Sequence, residues 1–263
     1  MAERHVRVVG VGPGGADQVT LEALAALRAC DYLVVADKPQ RGGAPDPLVE
    51  ARERLLDRHL GDARPPLVRV VDPPRDRTAR GTATPADYER AVEAWHDARA
   101  AAYAEAIAAH AGDPGFLVWG DPAFYDSTIR VLERVAAQLP LRVTVVPGVS
   151  SVQLLAARHG LVLHDVGRPV HVTTGRAVLA AVDAGQTNLV VMLNRDLAPL
   201  ADLRVADWQV WWGGNLGTAS ERLVAGRVGD VLDALDRARV ACREETGWVM
   251  DAFVLRAPVP ALS

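Results

Sequence analysis

Polar residues that could bind a ligand follow directly after a buried strand near the middle of the chain. The bulky apolar run Phe116–Trp119 is typical of a strand buried on both faces, and Gly120–Pro122 ends it. Ser127 and Thr128 follow as candidate N-caps of a helix over 129–138. Backbone amides and hydroxyls therefore collect at a carboxyl strand end, where open α/β sheets bind ligands. An ordinary connection between a strand and a helix has a similar composition and is an equal alternative.

A second candidate pair, Asp37 and Lys38, ends the apolar run 31–36. The chain has 29 lysine and arginine residues, of which Lys38 is the only lysine. An Asp-Lys pair at a strand end is either a surface ion pair of little energetic worth or a charged tip that faces a ligand cleft. The absence of other lysines favours the cleft.

Three arginines, Arg75, Arg77 and Arg80, follow the strand predicted over 66–71. Guanidinium groups at a carboxyl strand end could bind several carboxylates through paired hydrogen bonds. The chain is rich in arginine and alanine throughout, which more often reflects coding bias than anion recognition. A solvated charged loop is therefore an equal alternative.

The first predicted strand ends in a glycine-rich turn that satisfies GxGxxG literally, with Gly10, Gly12 and Gly15 at the required positions. That pattern usually rests a pyrophosphate on the amino end of the next helix. Here the first convincing helix start is Thr20, so the loop is too long for a tight dinucleotide grip. Asp37 could still serve as the ribose-binding acid, which leaves a nicotinamide-dependent oxidoreductase open as an alternative.

The apolar pattern predicts two α/β domains, 1–147 and 148–263, with a ligand cleft between them. Five strands separated by helical segments predict a parallel first sheet, and the short spacing between 208 and 227 predicts an antiparallel pair in a mixed second sheet. The predicted strands cover 5–9, 31–36, 66–71, 116–119, 142–146, 170–175, 188–193, 208–212, 223–227 and 248–255. The predicted helices cover about 21–27, 48–60, 85–111, 129–138, 151–159, 177–182 and 228–243.

Composition excludes several classes of protein. A chain of 263 residues with 49% hydrophobic and 24% charged residues is globular, and no apolar stretch reaches the roughly 20 residues that span a bilayer. The first residues do not resemble a signal peptide, so we expect a cytoplasmic protein without a membrane partner. The net charge of −4 and scattered basic residues argue against a nucleic-acid surface. Cys30 and Cys242 lie far apart without a CxxC or CxxH spacing, so neither a disulfide framework nor a metal site is expected.

Three motifs stand in one order at wide spacing: Gly10–Gly14, Gly120–Pro122 with Tyr125 and Ser127, and Pro147–Ser151. Together they resemble the tetrapyrrole methylases, two-domain (class III) S-adenosylmethionine-dependent methyltransferases of corrin and sirohaem synthesis. The resemblance covers nearly the whole chain and is far more specific than any single motif. It implies the α/β fold with a parallel five-stranded N-terminal sheet and a mixed C-terminal sheet, and a homodimer.

Further details resemble a particular branch of that family. They are the segments 34–38, 119–122, 125–128, 157–159, 171–175 and 247–251. The branch they resemble implies that precorrin-5 loses its C1 acetyl group as acetate and is methylated at C1, with S-adenosylmethionine as donor and no metal.

The resemblance also implies which residues bind the cofactor. Carried over position by position, they are Pro13, Gly120, Asp121, Pro122, Ser127, Thr128, Met192, Leu193, Gly217 and Thr218. Met192 and Leu193 would contact the cofactor with backbone groups, and Gly217 with Thr218 would close over its adenosyl part. Where the family often has glutamine a few residues later, this chain has Glu221, to which no role is assigned.

The implied reaction sets different demands on its two steps. Methyl transfer from a sulfonium needs alignment and exclusion of water, so few obligatory side chains are expected. Deacetylation needs a general base and a donor to the developing oxyanion. The candidates for these roles are Asp37, Lys38 and Tyr125, and those for substrate contacts are Arg75, Arg77, Asp126 and His171. A structural role is an alternative for His171, and packing is one for Tyr125.

Other functions remain open. Within the family these are a corrin methylase acting at another carbon, or a diphthine- or RNA-directed relative. Outside it, the oxidoreductase leaves the second and third motifs unexplained. A ligand-binding protein without catalysis also stays open, because methyl transfer requires no catalytic triad.

Overall fold

Two five-stranded sheets organise the chain, one in each of two units. The structure is a computed structural model and describes residues 2–38, 46–74 and 85–258. The first unit comprises the residues up to Gly12 together with Ala16–Val149, and the second comprises Pro13–Gly15 together with the residues from Ser150 onward. The units divide between residues 149 and 150, whereas the sequence predicted a domain boundary between 147 and 148. The middle of the glycine-rich turn belongs to the second unit.

The first unit contains a parallel sheet with the strand order β3-β2-β4-β1-β5. Its sequence of elements alternates strands and helices, as predicted from the apolar runs. The strands are β1 Arg4–Gly10, β2 Tyr32–Asp37, β3 Leu67–Val71, β4 Pro114–Val118 and β5 Leu141–Val146. The helices are α1 Leu21–Arg28, α2 Pro47–Leu60, α3 Pro85–Ala109 and α4 Thr128–Ala136.

Helices cover both faces of this sheet, because successive side chains of a buried strand point to opposite faces. On β1, Val6 and Val8 pack in a cluster with α3 and α4, whereas Val9 packs in a second cluster with α1 and α2. All of β4 is buried. The central strands therefore read as nearly continuous apolar runs, and their carboxyl ends meet at one edge of the sheet.

The second unit contains a mixed sheet with the order β6-β7-β10-β8-β9. Only β6 and β7 pair in parallel, and β8 and β9 form the predicted antiparallel pair. The strands are β6 His171–Thr174, β7 Asn188–Met192, β8 Gln209–Gly214, β9 Arg222–Arg227 and β10 Asp251–Arg256, and the helices are α5 Ser151–His159, α6 Val178–Asp183 and α7 Val228–Thr246. Short 3-10 segments cover Ala16–Gln18, Gly61–Ala63, Gly175–Ala177, Ala198–Ala201 and Leu203–Val205.

Side-chain N-caps begin α1, α2 and α5. The Thr20 hydroxyl accepts a hydrogen bond from the Ala23 amide at 3.0 Å, and Ser150 with Gln153 forms a capping box. Of the two candidate N-caps of α4, Ser127 holds the N-cap position and Thr128 is the first residue of the helix, but Ser127 makes no capping bond with its side chain. The Ser127 hydroxyl accepts a hydrogen bond from Arg99, and Asp126 caps the helix instead.

No helix within the described parts of the chain is long and apolar enough to cross a membrane.

Candidate functional site

One glycine from each of the three sequence motifs meets the other two at the carboxyl edge of the first sheet. An added Cβ on Gly148 would lie 2.2 Å from the Gly120 carbonyl oxygen and 2.9 Å from the Gly10 Cα. An added Cβ on Gly10 would lie 2.6 Å from the Gly148 nitrogen. The three backbones therefore approach more closely than any side chain allows, because β1 lies between β4 and β5.

The glycine-rich turn is tied to the loop after β4. We call residues 119–127, which join β4 to α4, the Gly120 loop. The Gly120 amide donates to the Gly12 carbonyl at 2.8 Å, and the Gly12 amide donates to the Gly120 carbonyl at 3.3 Å. The next α-helix begins only at Leu21. A dinucleotide grip is therefore not favoured, since the glycines do not open an α-helix and the backbone groups of Gly12 are already paired with Gly120.

Asp121 fixes the shape of the Gly120 loop. One carboxylate oxygen accepts from the Ala123 amide at 2.8 Å, and the other accepts from the Gly148 amide at 2.9 Å. Both oxygens thus bind backbone groups of the first unit. This arrangement explains why an acidic residue follows Gly120, and it leaves the backbone as the main surface that Asp121 can offer a ligand.

The rest of the Gly120 loop presents a mixture of buried and exposed groups. Pro122 and Thr128 are buried, whereas Tyr125 is 45% exposed and has a left-handed backbone with φ +52°. A tyrosine rarely adopts this conformation, and such strain often accompanies functional loops. One Asp126 oxygen accepts from the Thr128 amide at 2.7 Å. The structure therefore places the predicted site residues between Gly120 and Ser127 in one loop, and Thr128 begins the helix that follows it.

Asp37 and Lys38 lie at the same edge of the first sheet. Asp37 ends β2, which is adjacent to β4, and its carboxylate lies 3.7 Å from the Arg69 guanidinium. Lys38 is exposed, and its backbone amide donates to Asp46 at 3.3 Å. These two residues are thus at a carboxyl strand end, as the ligand hypothesis requires. Arg75, Arg77 and Arg80 lie outside the described residues.

In the second unit, the turn of residues 215–221 joins β8 to β9 and carries Gly217 and Thr218; we call it the Gly217 turn. The Thr218 hydroxyl donates to the Asn215 carbonyl at 2.8 Å, and the Gly217 amide donates to the Glu221 carboxylate at 2.6 Å. Glu221 also forms an ion pair with Arg158 at 2.9 Å. Glu221, to which the sequence assigned no role, therefore holds the turn.

The middle of the glycine-rich turn packs against the Gly217 turn. An added Cβ on Gly14 would lie 2.7 Å from the Thr218 methyl carbon and 3.1 Å from the Leu216 carbonyl oxygen. Gly14 also has a φ of +150°. The structure thus brings Pro13 and its neighbours close to two other residues that the family resemblance implies for the cofactor, Gly217 and Thr218.

Met192 and Leu193 stand at the carboxyl end of β7. Leu193 is 60% exposed and has φ +55°, so its backbone turns away from the strand there. The next side chain, Asn194, has a buried Oδ1 that makes no hydrogen bond within the described residues, and an added Cβ on Gly175 would lie 2.7 Å from it. A buried acceptor without a donor is costly, so it is a candidate contact for a ligand N–H or O–H group.

A buried polar cluster holds this segment in place. Arg239 donates to Asp251 at 2.9 Å and to the Arg195 carbonyl at 2.9 Å, and Trp212 Nε1 also donates to Asp251 at 3.1 Å. The Asn194 amide group donates to the Asp251 carbonyl at 3.2 Å. Burial raises the pKa of Asp251, while Arg239 opposes that shift. Sequence spacing could not reveal this cluster, because its members come from β8, α7 and β10.

His171 does not lie with the other candidate residues. It begins the edge strand β6, and in the parallel register it pairs with Leu189, whereas Thr174 pairs with Met192. Three residues of strand separate His171 from the end of β6 that faces Met192, a distance of about 10 Å. The structure therefore does not bring His171 together with Met192 and Leu193.

A parallel sheet whose strand ends gather glycines and polar loops, followed by a mixed-sheet unit, is an architecture that two-unit α/β methyltransferases have. The family model for tetrapyrrole (corrin/porphyrin) methylases matches residues 5–232, and the chain belongs to that family. It is therefore a methyltransferase.

Individual relatives agree. A curated protein from Sinorhizobium sp, named Precorrin-6A synthase [deacetylating], is 34% identical over 258 residues, which cover 96% of this chain and 95% of the relative. The solved structure of a putative cobalamin synthesis related protein (CobF) from Corynebacterium diphtheriae has a TM-score of 0.78 and 32% identity, covering 97% of this chain and 99% of that one. Uroporphyrin-III C-methyl transferase from Thermus thermophilus, complexed with S-adenyl homocysteine, shares the fold at a TM-score of 0.54 and 20% identity, covering 96% and 97%.

Proposed function

We propose that this protein is the S-adenosylmethionine-dependent C1-methyltransferase of corrin synthesis that converts precorrin-5 to precorrin-6A with release of acetate. The observation that carries the proposal is the 34% identity, spread over nearly the full length of both chains, to the relative named Precorrin-6A synthase [deacetylating]. The structural likeness to the cobalamin synthesis related protein, at 32% identity, is independent support.

The proposed cofactor residues belong to three segments. The first segment is the Gly120 loop and the start of α4, with Gly120, Asp121, Pro122, Ser127 and Thr128. The second is the end of β7, with Met192 and Leu193. The third is the Gly217 turn, with Gly217 and Thr218, together with Pro13 of the glycine-rich turn that packs against it. The orphaned Asn194 Oδ1 beside Leu193 supports the second segment, since the donor carries amino groups that could satisfy it. S-adenosylmethionine supplies an activated methyl group, and the protein's task is to orient the acceptor carbon and exclude water.

Deacetylation needs protein groups that move a proton and stabilise charge. Water adds to the acetyl carbonyl, the bond between C1 and the acetyl carbon breaks, acetate leaves, and the electron pair remains on the ring as an enamine. In the proposal, Asp37 accepts the proton of the attacking water, and Lys38 or Tyr125 donates to the oxyanion. The exposed positions of Lys38 and Tyr125 at the carboxyl edge of the first sheet are compatible with these roles.

Substrate contacts and assembly complete the proposal. Arg75, Arg77 and Asp126 are proposed to bind the tetrapyrrole, and His171 is the weakest candidate because of its place at the start of β6. A cytoplasmic homodimer is proposed from the family resemblance. Sedimentation velocity tests the assembly: a single monomeric species at micromolar concentration contradicts it.

Turnover tests the reaction directly. Purified protein, precorrin-5 and methyl-labelled S-adenosylmethionine should give acetate and labelled product in equal amounts. Label transfer without acetate would identify a methylase that acts at another ring carbon. Calorimetry with S-adenosylhomocysteine and with NAD in parallel should show binding of the first alone, and binding of NAD instead would refute the proposal.

The role of Lys38 can be tested chemically, because the chain has no other lysine. We expect acetylation of Lys38, or Lys38→Met, to lower kcat for acetate release by about tenfold or more, since the cationic donor is lost. Reductive dimethylation keeps the charge and should be much less harmful. Unchanged activity after acetylation would show that Lys38 has no part in acetate release. Thermal unfolding of Lys38→Met serves as the control for folding.

A further inference from the structure

Arg52 lies beside the Gly120 loop and forms no ion pair with any of the residues that the structure describes. Its guanidinium carbon lies 5.1 Å from the centre of the Trp119 ring, and Trp119 is the first residue of that loop. The Arg52 Nε is buried and makes no hydrogen bond within the described residues. One Nη donates a long bond of 3.4 Å to the Leu48 carbonyl. Most of the donors on this guanidinium are therefore available to a ligand.

Two carboxylates act electrostatically on Arg52, those of Asp46 and Asp126, and both accept hydrogen bonds from backbone amides. Asp46 accepts from the Leu48 amide at 2.9 Å and the Lys38 amide at 3.3 Å. Asp126 accepts from the Thr128 amide at 2.7 Å. Both carboxylates favour the charged form of Arg52, but burial outweighs them and lowers its pKa, and the positive charge of Arg99 adds to that effect.

Arg99, a structural arginine of the same unit, differs from Arg52 in its bonding partners. Its guanidinium forms an ion pair with Asp72 at 2.8 Å and donates to Ser127 at 3.0 Å and to Tyr103 at 2.8 Å. Arg99 is thus held by three partners on separate elements. Arg52 has no comparable set, although it stands on α2 near the same loop.

We propose that Arg52 binds a carboxylate of a ligand held at the Gly120 loop, with the Trp119 ring fixing the plane of the guanidinium. This inference rests on the proposed function, which supplies two sources of that group. One is an acetate or propionate side chain of the tetrapyrrole, and the other is the carboxylate of the methionine part of the methyl donor. An arginine with free donors pairs with either through two parallel hydrogen bonds.

The test compares Arg52→Met with Arg54→Met, a control two residues along the same helix whose side chain is 71% exposed. Binding of uroporphyrin III, a stable tetrapyrrole polycarboxylate, is measured by fluorescence, and binding of S-adenosylhomocysteine by calorimetry. We expect Arg52→Met to weaken one of the two by about tenfold or more and Arg54→Met to weaken neither. Loss of uroporphyrin affinity identifies the substrate carboxylate, and loss of S-adenosylhomocysteine affinity identifies that of the donor.

Thermal unfolding separates ligand binding from a structural role. Burial outweighs the two carboxylates that act on Arg52, so removing its charge should leave the melting temperature of Arg52→Met equal to or above that of the parent protein. Arg52→Lys should restore part of the lost affinity. The inference is overturned if Arg52→Met binds both ligands normally, or if it melts at a lower temperature and loses both affinities together. Neither binding assay requires release of acetate, so a failure of the proposed reaction is seen separately.

Discussion

At the scale of single residues, the motif glycines serve backbone packing before they serve any ligand. Gly10, Gly120 and Gly148 meet where β4, β1 and β5 end, and each belongs to a different sequence motif. Gly120 also has φ +67°, a conformation that strains other residues. Substitution of Gly120 by valine is therefore expected to cost stability as well as ligand binding. The three motifs, although far apart along the chain, therefore each supply one small residue to the same point.

The first prediction concerns Gly148→Ala. Its new Cβ would stand 2.2 Å from the Gly120 carbonyl oxygen, so the strand ends must separate. We expect a loss of about 3 kcal/mol in the free energy of unfolding, measured in urea. Gly160→Ala is the control, because Gly160 has φ +60° but nothing within 4 Å of an added Cβ, and it should cost only about 1 kcal/mol. Equal costs would contradict the close approach of the three backbones.

At the scale of elements, side chains far apart in sequence hold the loops that follow the strands. The Gly217 turn depends on Glu221, which accepts from the Gly217 amide and pairs with Arg158 on α5. The segment after β7 depends on Arg239 of α7 and on Asp251 of β10. Each loop is therefore shaped by a neighbouring element as well as by its own residues.

Glu221→Ala tests the support of the Gly217 turn. It leaves the part-buried Gly217 amide without its acceptor, so we expect a loss of about 1 to 2 kcal/mol of stability and weaker binding of S-adenosylhomocysteine, measured by denaturation and calorimetry. The control is Glu245→Ala, which removes a half-exposed ion pair with Arg222 and should cost at most about 0.5 kcal/mol. If the two variants bind S-adenosylhomocysteine equally well, Glu221 does not position the turn.

Asp251→Asn tests the buried polar cluster that holds the segment after β7. The Asp251 side chain is 1% exposed and that of Arg239 is 11% exposed, so the variant leaves a buried cation without its countercharge. We expect a loss of about 3 to 5 kcal/mol in the free energy of unfolding. The double variant Arg239→Met with Asp251→Leu should be less destabilised than Asp251→Asn, because no charge remains buried. In the cycle of Arg239→Met and Asp251→Leu, additive losses from the two single variants would show that the pair is not coupled.

At the scale of the whole molecule, each unit has its own apolar core and one buried cysteine. Cys30 lies in a cluster of the first unit with Leu27 and Leu33, and Cys242 lies in the cluster of the second unit. Burial raises the pKa of Cys30 to about 11 and also raises that of Cys242. Both thiols are therefore protonated near neutral pH as well as shielded from solvent.

These cysteines give a separate reporter for each unit. In the native protein at pH 8, neither thiol should react with a thiol reagent such as DTNB over minutes. In denaturant, both thiols should react. Single-cysteine variants, Cys30→Ser and Cys242→Ser, then follow the opening of the second and first unit respectively as urea is raised. Rapid reaction of either thiol without denaturant would contradict its buried place in the core.

The sequence by itself determined the elements, because apolar periodicity and capping are local. The ten strands and seven α-helices of the described residues follow the predicted runs to within a few residues, and Thr20 caps the first helix as its position indicates. The parallel first sheet and the mixed second sheet also followed from the spacing of these runs. The order of the three motifs indicated the family, which the family match confirms.

Only the tertiary structure decided which side chains hold the loops and which remain free. Ser127 stands at the N-cap position of α4, as predicted, but its hydroxyl accepts a hydrogen bond from Arg99, which is 28 positions earlier, and does not bond to the helix. The sequence did not predict a role for Glu221 or Arg52. The role of Glu221 depends on the amide that its carboxylate binds, and that of Arg52 depends on donors that bind no described residue. Hydrogen bonding and charge pairing act over a few ångströms in space, and the fold alone sets which distant residues come that close.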